Sequence, residues 1–153
     1  MSRKFLCLVL LTQLGIRCSN DSDGRIVLIP NGYKGIVTII YGVKDGAKEE
    51  FENGKQVFRI PSNGVLKTQF SLDETWINSE RIGYFYESRK RVRIERADFP
   101  NELPNNVIQI IGEQVGTTSD FPNTYLSFLV CTFSESDSLS RLRYNQNLKE
   151  LMK

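Results

Sequence analysis

Four Asn-Gly or Asp-Gly pairs punctuate one stretch of this chain: Asn31-Gly32, Asp45-Gly46, Asn53-Gly54 and Asn63-Gly64. Tight turns need positive φ, which glycine and asparagine tolerate at least cost. Between the pairs lie short runs rich in β-branched and aromatic residues, at 25–30, 35–41, 56–61 and 65–70. The spacing predicts strands joined by hairpin turns, too often broken for helix. Ile36 to Tyr41 is apolar on both faces, as a central strand would be. Pro30 and Pro61 each close a run, where a missing N–H does least harm.

Further on, residues 82–86 and 92–95 predict a hairpin across Ser88 to Lys90, and residues 107–112 another strand. A polar excursion over 116–123 precedes Tyr125 to Phe133, apolar enough for the centre of a sheet. Ser134-Glu135-Ser136-Asp137 offers helix caps, and Tyr144, Leu148, Leu151 and Met152 share a helical stripe, with Leu139 and Leu142 facing elsewhere. The pattern predicts an all-β fold, an antiparallel β-sandwich or small barrel over 25–133 with one C-terminal helix over 134–153.

The chain opens as a secretory leader does. Arg3 and Lys4 precede an apolar run from Phe5 to Leu11, too short to span a bilayer. Residues 1–17 are expected to be a signal peptide and residues 18–24 a polar tether; a buried first element of a cytosolic domain is the alternative. Cys18 stands where a bacterial lipoprotein carries its acylated cysteine, although Gly15 and Arg17 depart from the lipobox pattern. Lipid attachment at Cys18, cleavage elsewhere nearby and a structural thiol all remain open. The expected location is extracytoplasmic: a membrane-anchored lipoprotein, or a periplasmic or secreted protein.

At 153 residues the chain has room for one domain with a real core. It has no histidine, which excludes imidazole-based triads and histidine-ligated metal sites. Three cysteines without a C-x-x-C pair give no disulfide scaffold. Loss of Arg3, Lys4 and Arg17 with the leader takes the formal charge from +2 to −1, too little basic excess for a nucleic-acid binder. Asp21-Ser22-Asp23-Gly24 fails as a calcium loop, because Pro30 falls where the last ligand belongs. No phosphate loop, dinucleotide fingerprint or zinc spacing occurs, so no cofactor or metal is expected.

Ile29-Pro30-Asn31-Gly32-Tyr33-Lys34-Gly35 and its echo Ile60-Pro61-Ser62-Asn63-Gly64-Val65-Leu66 carry a family resemblance. They resemble an uncharacterised domain of small bacterial secreted proteins and lipoproteins, with I-P-x-G-Y-x-G and I-P-x-x-G-V-L hallmarks. The likeness covers Ile26 to Phe70 and, more loosely, Thr124 to Phe133, where Cys131 takes the place of a family glycine. It implies an exported β-rich domain and carries over no catalytic residue.

Three groups are candidates for function. Arg89 to Arg96 is the one dense basic run; alternation would turn Arg91, Arg93 and Glu95 outward and Val92 and Ile94 inward. Such a face suits anionic lipid or polysaccharide, or serves as a solvated edge that resists aggregation. Tyr84 and Tyr86, with Trp76, offer a stacking platform for sugar or peptide, or ordinary core packing. The carboxylates Glu49-Glu50, Glu52, Asp73-Glu74 and Asp120 admit glycan hydrolysis without marking a pair. Cys131, inside an apolar strand, reads as an inert thiol. The leading expectation is a non-catalytic envelope binding or structural module, with an envelope protein or glycan as partner. A carboxylate-based glycan hydrolase is the enzyme alternative. The oligomeric state is not legible.

Overall fold

The computed structural model describes residues 24–72, 82–97, 102–118 and 121–151. Their strands form two mixed sheets. The first holds β1 (Arg25–Pro30), β3 (Glu50–Glu52), β4 (Lys55–Arg59) and β6 (Ile82–Glu87), in the order β3-β4-β1-β6. The second holds β2 (Gly35–Ile40), β5 (Val65–Lys67), β7 (Arg96–Ala97), β8 (Gln109–Thr118) and β9 (Phe121–Cys131), in the order β5-β2-β9-β8-β7. A 3-10 turn at Phe133–Glu135 leads into α1 (Ser136–Tyr144), followed by a single turn, α2 (Leu148–Leu151). The β-rich class, the terminal helix and the inner positions of β2 and β9 agree with the sequence reading.

The sheets are not purely antiparallel. β1 runs parallel to both β4 and β6, β2 to β5, and β7 to β8. The reason lies in the Asn-Gly turns. Only Asn53-Gly54 closes a hairpin, with both residues at positive φ and Glu52 opposite Lys55. Asn31-Gly32 and Asn63-Gly64 instead carry the chain from the first sheet to the second. The chain therefore passes sheet to sheet twice in the same sense, and the two passes lie side by side. Arg25 to Leu28 pair in register with Gln56 to Arg59, and Thr38 to Ile40 with Val65 to Lys67. That register sets Ile29-Pro30 beside Ile60-Pro61, so the echo in the sequence is an echo in space.

Both sheets feed one core. Val27, Ile29, Phe58, Ile60 and Tyr84 from the first meet Val37, Ile39, Leu66, Ile110, Leu126, Phe128 and Val130 from the second. Tyr84 meets Phe128 edge-on at a centroid distance of 5.1 Å, and Phe58 meets Phe70 at 5.0 Å. Burying rings such as Phe58 and Phe128 contributes about 1.5–3 kcal/mol each. The alternate positions Thr38, Ile40, Ser127, Leu129 and Cys131 are buried as well, on the face where α1 packs against β2 and β9.

The terminal helix departs from its predicted stripe. It breaks at residues 145–147, and Tyr144 is 91% exposed. Ser136, Leu139, Ser140 and Arg143 form the covered side instead, at positions i, i+3, i+4 and i+7. The docked face is thus largely polar, which an apolar count misses. The excursion expected over 116–123 is also replaced, because β8 and β9 extend as paired strands to Thr118 and Phe121.

Candidate functional site

The first sheet presents a mixed-charge face. Arg59 of β4 pairs with Glu50 of β3 at 2.8 Å and with Glu87 of β6. Arg91 forks Glu52 through two hydrogen bonds of 2.5 and 2.7 Å, which hold the Glu52 carboxyl below its ordinary range. Arg93 meets Glu95 at 3.2 Å. Alternation fails at the start of the basic run because Arg91 has φ 43 and closes a turn, its N–H bonded to the Ser88 carbonyl. Val92 is consequently 56% exposed, whereas Ile94 is buried as expected. The two arginines singled out from sequence therefore sit among carboxylates rather than in a free basic patch.

Tyr84 and Tyr86 both turn toward the core. The Tyr84 ring is 2% exposed, and the partly buried Tyr86 donates its hydroxyl to the Tyr33 carbonyl. The Tyr84 ring offers no open face, and Tyr86 is only partly covered. Trp76 and Cys18 lie outside the described residues, as do the leader, the tether from 18 to 23, Asp73, Glu74 and Asp120.

Beneath β8 the Tyr84 hydroxyl donates to Glu113, whose carboxylate also receives Arg96 at 3.4 Å. Burial and the Glu113 charge both raise the Tyr84 pKa, burial more, so the phenol stays neutral. Among the described residues, no group of three or more Cys, Asp or Glu side chains converges as a metal would require.

A polar site lies between α1 and the second sheet. Gly112 sits at φ 62 in a break of β8, where the register with β9 slips between Ile111 and Gln114. The Gly112 carbonyl accepts a 2.5 Å hydrogen bond from Arg143 Nη1 of α1. A cavity of about 540 Å³ opens beside this tie. Gln114, Tyr125 and Ser127 form its floor, Ser140, Arg143 and Gln146 its roof, with the exposed Tyr144 at the rim. Burial lowers the Arg143 pKa, and Tyr125 and Cys131 nearby partly offset that. No carboxylate lines the cavity among the described residues. This site was not picked out from sequence; Gly112 within an apolar run is the signal that marks it, as a bulge.

Cys131, at the end of β9, is buried, and burial pushes its thiol up to about 11. No helix of the described residues is long and apolar enough to cross a membrane.

A family model described as a family of unknown function, DUF6843, matches residues 21–137. The chain belongs to the DUF6843 family. The matched stretch holds the floor of the α1 cavity and ends before its roof at Ser140, Arg143 and Gln146. Comparison with curated proteins gives no match. Among solved structures, this DUF6843 chain is similar to a crystal structure described as "Putative Lipoprotein from Bacillus anthracis", at 16% identity and a TM-score of 0.45. That similarity spans 73% of this chain and 75% of the other.

Proposed function

We propose that this DUF6843 protein is a non-catalytic binding module of the bacterial envelope, built as a β-sandwich, exported, and held at the membrane through a lipid on Cys18. The observation that carries the reading is the order of segments. A basic and apolar leader is followed by Cys18, a polar run, and then at once β1. β1 is an inner strand, hydrogen-bonded to β4 on one side and β6 on the other. A tether entering there pulls on a strand held from both sides, which suits a domain displayed on an anchor. The single core shared by the two sheets supports the sandwich.

The non-catalytic part is supported by how six of the described carboxylates are used. Glu50, Glu52, Glu87, Glu95, Glu113 and Glu135 each meet a cationic side chain. Hydrolysis of a glycoside needs one carboxyl protonated and another free across a cleft.

Intact mass of the protein from its native membrane fraction, beside Cys18→Ala, tests the anchor. A chain starting at Cys18 and carrying diacylglyceryl and acyl groups, absent in the variant, is the expected result. A full-length chain in the cytosol overturns the reading.

A further inference from the structure

We infer that the cavity between α1 and the second sheet binds a small polyhydroxylated carboxylate, the chemical class of uronic acids. The inference rests on the reading of this chain as a binding module and is independent of the anchor.

Arg143 decides the charge of the ligand. Arg59, Arg91, Arg93 and Arg96 are each matched with a carboxylate, and they lie on or beside the first sheet and β8. Arg143 meets a neutral carbonyl, Gly112, in a cavity with no acidic lining residue among the described residues. Even partial burial of a guanidinium costs free energy that a carbonyl only partly returns, and here it disfavours the charged form. The matching counter-ion is a planar oxyanion, which a guanidinium receives as a fork.

The other lining groups decide the rest of the ligand. Ser140 supplies a hydroxyl beside the buried Ser127, whose own hydroxyl meets Thr38 at 3.4 Å, and Gln114 and Gln146 supply amides that donate and accept. Such a set matches vicinal hydroxyls better than an apolar body. Tyr125 in the floor and Tyr144 at the rim add aromatic surface that covers the apolar face of a sugar ring. A volume of about 540 Å³ lies within the range of small-molecule sites. Phosphate alone leaves most of that space and both amides unused.

The test is titration of the full chain with glucuronate, galacturonate, glucose and inorganic phosphate, followed by NMR and calorimetry. Uronates are expected to shift the amides of 112–116, 125–127 and 140–146, and to bind about tenfold tighter than glucose. Arg143→Gln is expected to abolish that preference. Because Arg143 also ties α1 to β8, Gln146→Ala and the rim variant Tyr144→Ala provide checks that leave the tie intact, each weakening uronate binding severalfold. Equal binding of glucose, phosphate and uronate, or shifts located elsewhere, overturns the inference. So does uronate binding unchanged in all three variants. A lipid-free native chain that still binds uronate removes the anchor and leaves this site standing; an acylated chain that binds none does the reverse.

Discussion

The Tyr33 hydroxyl rests directly against Gly64, so closely that a Cβ on Gly64 would overlap it. The same hydroxyl donates to the Ile36 carbonyl at 2.6 Å. One tyrosine thereby joins the two sheet-crossing turns, Asn31-Gly32 and Asn63-Gly64, and holds the echoed units side by side. The echo is more than a pair of similar turns. Tyr33 from the first is seated where the second has no side chain.

Gly64→Ala is expected to destabilise by about 2–4 kcal/mol, by two effects. Gly64 has φ 79, which a side chain resists, and the added Cβ would come within 2.5 Å of the Ile36 carbonyl oxygen. Tyr33→Phe keeps the ring and leaves that carbonyl without its side-chain donor, a loss of about 1 kcal/mol. Urea unfolding of both variants checks the order. A Gly64→Ala protein as stable as the parent removes the joint.

Glu113 is expected to be coupled to Tyr84. The phenol is almost fully buried and donates to this carboxylate, so Tyr84→Phe and Glu113→Gln should each cost about 1–3 kcal/mol. Together they should cost less than the sum, with a coupling of about 1 kcal/mol in a double-mutant cycle. Additive losses would mean that the contact contributes nothing of its own.

The basic run is expected to bind polyanions weakly. Arg91 and Arg93 face Glu52 and Glu95, so Arg91→Ala with Arg93→Ala should leave binding to heparin or anionic vesicles unchanged between low and moderate salt. Steep salt-dependent binding lost in the double variant would restore the free basic patch.

Most strand positions were legible because alternation and turn residues are local signals, whereas the short β3 and β7 were not, and the expected strand over 92–95 is a single bridge from Arg93 to Phe85. The sheet each strand joins was not legible. An Asn-Gly pair marks a turn, yet at Asn53-Gly54 both residues take positive φ and close a hairpin, whereas at Asn31-Gly32 only the glycine does and the chain crosses between the sheets. What distinguishes them is the asparagine, left-handed only at Asn53, and the Tyr33 hydroxyl that follows the first crossing lies against Gly64, thirty-one positions later. Tyr84 and Tyr86 looked equally fit for a platform or a core, and only sheet pairing settles which face is covered. The α1 cavity stayed hidden because its docked face sets Ser136, Ser140 and Arg143 beside a single leucine, Leu139, where periodicity seeks an apolar stripe. Of the site residues named from sequence, Cys18 and Trp76 fall outside the described residues.

Cys131 is expected to resist labelling. With its thiol raised to about 11 by burial, little thiolate exists near neutral pH, and the side chain is fully buried. Alkylation of the native chain followed by peptide mapping should leave Cys131 unmodified, with modification only after denaturant is added. Rapid native labelling at this position would mean that the end of β9 opens.

Acid is expected to release α1 before it unfolds the sheets. Glu135 accepts hydrogen bonds from the Thr132 N–H at 2.9 Å and hydroxyl at 2.7 Å, and pairs with Lys34 at 3.0 Å. These contacts, led by the Thr132 N–H, hold its carboxyl at about 2 against an ordinary 4.5. A depressed folded pKa means that the unfolded state binds the proton first. The stabilisation is therefore complete above pH 4.5 and lost progressively as pH falls from 4.5 through 2. The group lost stands at the entry to α1, which carries Ser140 and Arg143 over the cavity. Hydrogen exchange of the 136–144 amides should accelerate over that window while β2 and β9 stay protected. Glu135→Gln should remove this acid step, and Lys34→Ala should only shorten it, since the Thr132 bonds are the larger cause. Loss of α1 and the sheets at one common pH would place the acid-sensitive contact elsewhere.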